Sequence, residues 1–106
     1  MGAISVRDEK DIWGASNRLI YYFLLFCIRN VGEKGYLIEF KNKFDWGYNS
    51  FSLCDLTFVE KNEFLELAIS YSNIGDFETL DLDPAEVKGQ FDDLINRLRD
   101  SIRKMG

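Results

Sequence analysis

A chain of 106 residues has room for one ordinary domain with a single core. With 46% apolar and 15% aromatic residues, one Pro and 8 Gly, collagen-like, low-complexity and disordered chains are excluded. The 13 basic and 18 acidic side chains give a net charge of −5, which argues against a nucleic-acid binder.

There is no histidine, so Ser-His-Asp and Cys-His catalysis within the chain are excluded, as are histidine metal sites and pH switches. Cys27 and Cys54 form no CxxC pair, and both lie in apolar runs where free cysteine behaves as a small hydrophobe. The N-terminal stretch lacks the charged-then-apolar layout of a signal peptide. The longest apolar run, Leu19 to Ile28, is ten residues long, where a membrane span needs about twenty. One domain over residues 1–106, soluble and cytoplasmic, is the expectation.

Residues 8–30 read as a helix. Asp8, Glu9 and Asp11 suit the positive end of its dipole, and Gly32 suits its stop. Ile12, Ala15, Leu19, Tyr22, Phe23 and Phe26 recur at spacings of three and four, and Ile20, Leu24 and Cys27 widen the stripe. A strand over Leu19 to Ile28 competes, because so apolar a run lacks a decisive period. After the turn at residues 32–35, Tyr36 to Lys41 alternates and reads as a strand. Residues 42–50 read as a loop or hairpin tip, Phe51 to Glu60 as a second strand, and Glu63 to Ser72 as a third. In the third strand Leu65, Leu67, Ile69 and Tyr71 would face inward. Phe77 to Leu82 reads as a short fourth strand.

Asp83-Pro84-Ala85-Glu86 has a cap, a Pro at the first helical position and an acid three residues after the cap, so it opens a last helix. Val87, Phe91, Leu94, Ile95, Leu98, Ile102 and Met105 make its apolar stripe. The expected architecture is α+β: an antiparallel sheet of three or four strands with an N-terminal and a C-terminal helix packed on it. One helix on each face is the alternative.

Charge is uneven along this chain. Residues 44–83 hold nine acids and one base, Lys61. An acidic surface of that kind speeds encounter with a basic partner, or merely keeps strand edges soluble. Within the same stretch, Phe44-Asp45-Trp46-Gly47-Tyr48-Asn49-Ser50-Phe51 packs four aromatics into eight residues. Trp and Tyr in a loop are frequent interface anchors. Equally, Phe44 and Phe51 could close the core while Trp46 and Tyr48 pair across a hairpin. Glu78, Asp81 and Asp83 lack the spacing and glycine of a calcium loop, and Asp83 has a capping role. No phosphate loop or dinucleotide fingerprint is present. The chain therefore reads as a non-enzyme without cofactor or metal.

In its size, its acidity and the stretch 44–83, the chain resembles the bacterial immunity proteins of contact-dependent inhibition and related polymorphic-toxin systems. That resemblance implies a one-to-one complex with a toxin domain, often a basic nuclease, and a monomer when free. Asp45, Trp46, Tyr48, Glu60, Glu63 and Glu66 are the candidate contacts. The other reading is a small adaptor or self-associating module with no toxin partner.

Overall fold

In the computed structural model, which describes residues 2–74, 77 and 81–105, the acids at positions 8 and 11 do not start a helix. They close a hairpin. Asp8 Oδ1 accepts from the backbone N–H of Lys10 at 2.8 Å and of Asp11 at 3.0 Å, a turn that short acidic side chains favour. Arg7 Nε pairs with Asp11 Oδ2 at 2.7 Å across the same turn. Strand β1 (Gly2–Ser5) thus pairs antiparallel with β2 (Ile12–Ala15). Helix α1 (Asn17–Val31) begins only after Ser16, whose Oγ accepts from the Leu19 N–H at 3.1 Å. Its end agrees with the sequence. Gly32, at φ 87°, closes the last turn with its N–H on the Ile28 carbonyl.

Tyr36 to Lys41, expected as a strand, lies in helix α2 (Gly35–Asp45). Six alternating residues are too few to fix a period, and Tyr36, Leu37 and Phe40 satisfy the helical one. The expected strand Phe51 to Glu60 shrinks to β3 (Ser50–Ser52). β3 runs parallel to β1, so the sheet is mixed, in the order β2-β1-β3, rather than antiparallel throughout. Parallel pairing needs a long crossover, and α1 and α2 provide it. Ile4, Trp13 and Phe51 are register partners and are buried together. Leu19, Ile20, Phe23, Leu24 and Cys27 form the buried face of α1, while Ile12 and Tyr22 are exposed. Phe40 stacks on Phe51 at 4.1 Å and so seats α2 on β3. Each such apolar side chain removed from water contributes roughly 1.5–3 kcal/mol. Both cysteines are free; Cys27 is buried and Cys54 half-buried.

Backbone contacts divide the chain into two compact units, Met1–Asp55 and Leu56–Gly106. The second is helical in its described residues. Helix α3 (Phe58–Ile74) replaces the expected strand over Glu63 to Ser72, the end of the strand before it and the turn at Lys61-Asn62. Its start is a capping box. The Thr57 N–H donates to Glu60 Oε1 at 2.9 Å, and the Glu60 N–H donates to Thr57 Oγ1 at 3.1 Å. Its buried positions are Lys61, Phe64, Leu67, Ala68, Tyr71 and Ser72, a helical series and not a strand's. Helix α4 (Pro84–Met105) follows the sequence reading. Asp83 Oδ1 accepts from the Ala85 N–H at 3.0 Å, and Val87, Phe91, Leu94, Ile95 and Leu98 are buried. At its far end Ile102 is only half-buried and Met105 exposed. Tyr71 meets Phe91 near one end of the pair, and Lys61 meets Ser101 near the other, so α3 and α4 form an antiparallel hairpin. Residues 78–80 of the short strand expected over Phe77 to Leu82 lie outside the described residues, and Phe77, Asp81 and Leu82 are not in a strand.

The α+β class therefore stands, with four helices and a small mixed sheet among the described residues. The capping box has a measurable consequence. Glu60→Ala is expected to lower stability in denaturant by about 1 kcal/mol. Glu60→Gln, whose amide oxygen still accepts, should lose little. Equal losses would show that the reciprocal bond contributes nothing.

Candidate protein-binding surface

Four consecutive features fix the aromatic stretch. Helix α2 ends at Asp45, and Trp46 caps it with its N–H on the Asn42 carbonyl. Gly47 takes φ 90°, where a side chain would be strained, and turns the chain. The Gly47 and Tyr48 N–H groups then close on the carbonyls of Phe44 and Lys43 at 3.1 and 2.9 Å. Finally, Asn49 is tied to β1 through the Ala3 N–H on its carbonyl at 2.9 Å, and to α1 through Asn17 Nδ2 on its Oδ1 at 3.2 Å.

This geometry sorts the four aromatics into two inward and two outward. Phe51 is buried and Phe44 half-buried, with ring centroids 5.9 Å apart. Trp46 is 72% exposed and Tyr48 62% exposed. Phe44 and Phe51 thus close the core as one reading of the sequence held. Trp46 and Tyr48 show no ring pairing with each other among the described residues. Two large, stiff side chains held outward on a fastened loop lose little freedom when a partner covers them.

Asp45 stands beside them, but it is not a bare acid. Lys41 Nζ donates to Asp45 Oδ2 at 2.8 Å and lies 5.8 Å from the centroid of the Tyr21 ring. The bond to Asp45 raises the Lys41 pKa above the ordinary lysine value, with smaller support from Tyr21, against a small opposing effect of burial. The aromatic pair is thus flanked by an internally balanced charge pair.

Glu60, Glu63 and Glu66 run along α3 in the second unit and have unequal roles. Glu60 is occupied by the capping box. Glu63 is half-buried and engaged within the chain. Of the three, only Glu66 is exposed. The structure therefore gathers Asp45, Trp46 and Tyr48 at the end of α2 and on the loop after it in the first unit, and strings the three glutamates along a helix of the second. Charge divides the same way. Met1–Asp55 carries seven bases and seven acids, so the whole excess of −5 belongs to Leu56–Gly106.

Sequence reasoning missed some exposed apolar groups. Phe58 and Val59, assigned to a strand, open α3 and are 51% and 74% exposed. It also missed a buried polar pair. Lys61, the only base among residues 44–83, is 4% exposed and donates to Ser101 Oγ at 2.9 Å. Among the described residues no group of three or more potential metal ligands forms, and no helix is long and apolar enough to cross a membrane. No family model, curated protein or solved structure matches this chain.

Proposed function

We propose that this chain is a protein-binding inhibitor of the immunity type, which neutralises a basic, nuclease-like toxin domain in a one-to-one complex. The observation that carries the reading is the Trp46–Tyr48 pair, held outward on a loop fastened at both flanks. Trp and Tyr so placed supply contact area at small entropic cost. The acidic excess of Leu56–Gly106, with Glu66 as its exposed member on α3, supplies the field that draws in a basic partner. In this reading the aromatics hold the complex and the acids speed its formation.

The test begins with a partner recovered as a stoichiometric complex on the tagged chain and identified by mass spectrometry. The doubly substituted Trp46→Ala, Tyr48→Ala chain should bind that partner at least about tenfold more weakly, mainly by faster dissociation, with unchanged unfolding. Glu66→Lys should slow association at low ionic strength and leave dissociation nearly unaltered. Undiminished affinity in the double variant would sink the proposal. A free chain that sediments as a dimer, and becomes a monomer in the double variant, would assign the aromatic pair to self-association instead.

A further inference from the structure

The α3–α4 hairpin contains a cleft of about 300 Å3, at the lower end of the range for small-ligand sites. Ile69, Ser72 and Asn73 line it from α3, at the i, i+3, i+4 positions of one helix face. Asp92, Ile95, Asn96 and Arg99 line it from α4, at i, i+3, i+4 and i+7. The two stripes belong to one helical pair.

Its polar groups are unspent. None of Ser72, Asn73, Asp92, Asn96 and Arg99 bonds through its side chain to another described residue. Ser72 is 8% exposed, so its hydroxyl belongs to the cleft and not to the open surface. Arg99 differs from the other bases in the last turns of α4. Arg97 reaches Asp93 at 3.1 Å, Arg103 reaches Asp100 at 2.8 Å, and Lys104 reaches Asp100 at 3.3 Å. Arg99 alone of these four has no carboxylate among the described residues. Asp92, two turns earlier, likewise has no cation among the described residues. Seven residues of helix separate the two by about 10 Å along the axis.

We propose that this cleft binds a small zwitterion, a carboxylate and an ammonium joined by a short hydrocarbon chain. Arg99 takes the carboxylate, since its guanidinium forks match two carboxylate oxygens. Asp92 takes the ammonium. The hydrocarbon lies against Ile69 and Ile95. Ser72, Asn73 and Asn96 offer donors and acceptors along the way, a mixed apolar and polar lining that fixes orientation. A simple anion would gain Arg99 but face Asp92, and a simple cation would meet the reverse, so each alone is held less well than a molecule carrying both. The site is independent of the aromatic loop, and its failure would leave the inhibitor reading untouched.

The test is a titration of the full-length 15N-labelled chain with ε-aminocaproate, and with caproate and hexylamine as single-charge controls. Saturable amide shifts confined to residues around 69–73 and 92–99 are expected. The controls should bind at least about tenfold more weakly, since each forfeits one charge contact. Arg99→Gln and Asp92→Asn, both at exposed positions, should each weaken ε-aminocaproate by about tenfold with an unchanged melting temperature. Glycine and γ-aminobutyrate, too short to reach both ends, should bind less well. Absence of saturation by all three zwitterions at tens of millimolar would overturn the proposal. So would equal binding of caproate, or an affinity unaltered by Arg99→Gln.

Discussion

Phe64→Ala will cost the Leu56–Gly106 unit about 3–5 kcal/mol, while Leu65→Ala, one residue later, will cost less than half as much. The pair separates a helix from a strand at this point of the chain. A strand over Glu63 to Ser72 would place Leu65 inward with Leu67, Ile69 and Tyr71, and Phe64 outward. In α3 the order is reversed: Phe64 is fully buried and Leu65 only half-buried. Removing the Phe64 ring leaves a cavity between two packed helices, and the surroundings relax only partly around it. In a unit this small, each kcal/mol lowers the melting temperature by roughly 4–8 °C, so the difference is large in a thermal melt. Far-ultraviolet dichroism and denaturant titration of both variants would measure it. Equal costs, or a larger one at Leu65, would contradict the buried face of α3.

Ser101→Ala will cost about 2–3 kcal/mol, although it removes one hydroxyl and nothing else. The reason lies on the neighbouring helix. Lys61 is 4% exposed and its amino group has Ser101 Oγ, at 2.9 Å, as its side-chain partner. Take the acceptor away and a buried donor is stranded, which costs more than the bond itself contributed. Lys61→Met fills similar space without donors and should be close to neutral. In that background Ser101→Ala should cost little, because the Ser101 hydroxyl has no Lys61 amine left to serve. A double-mutant cycle by denaturant titration should therefore give a coupling of about 2 kcal/mol. Zero coupling would show that the pair is a geometric coincidence in the helix packing.

These two variants lie where sequence reading and structure part company. The alternation of Leu65, Leu67, Ile69 and Tyr71 was genuine, but so was the helical series Phe64, Leu67, Ala68, Tyr71 in the same ten residues. With six of its ten residues apolar, the stretch satisfies both periods, and only the surface packed against it selects one. The capping box at Thr57 and Glu60 was the local signal for a helix, hidden by a strand drawn through it. At the N-terminus Asp8 and Asp11 fit a helix start and a hairpin turn equally well on paper. Pairing of Ile4 with Trp13 and with Phe51 favours the turn, through contacts up to forty-seven positions apart.

The candidate surface was legible in part. Trp46 and Tyr48 were recognisable because Gly47 and Asn49 interrupt the apolar pattern around them, so rings there had a good chance of standing outside the core. Which two of the four aromatics turn inward was not legible, since it depends on Phe40 stacking over Phe51. Nor were the unequal roles of the acids. Asp45 is paired with Lys41 by helical spacing that a loop reading concealed, and Glu60 serves its own backbone.

By itself the sequence determined the features that act over a few residues: the stop at Gly32, the start at Asp83 and Pro84, the apolar stripe of α4, the absence of histidine chemistry, and the acidic excess in the later half of the chain. Local hydrogen bonds and backbone sterics set these, and they need no distant partner. Tertiary structure alone decided whether residues 36–41 and 63–72 became helix or strand, that β3 lies parallel to β1, and that Lys61 meets Ser101. Each of those outcomes depends on burial against residues remote in sequence, whose free energy outweighs the small differences in local propensity.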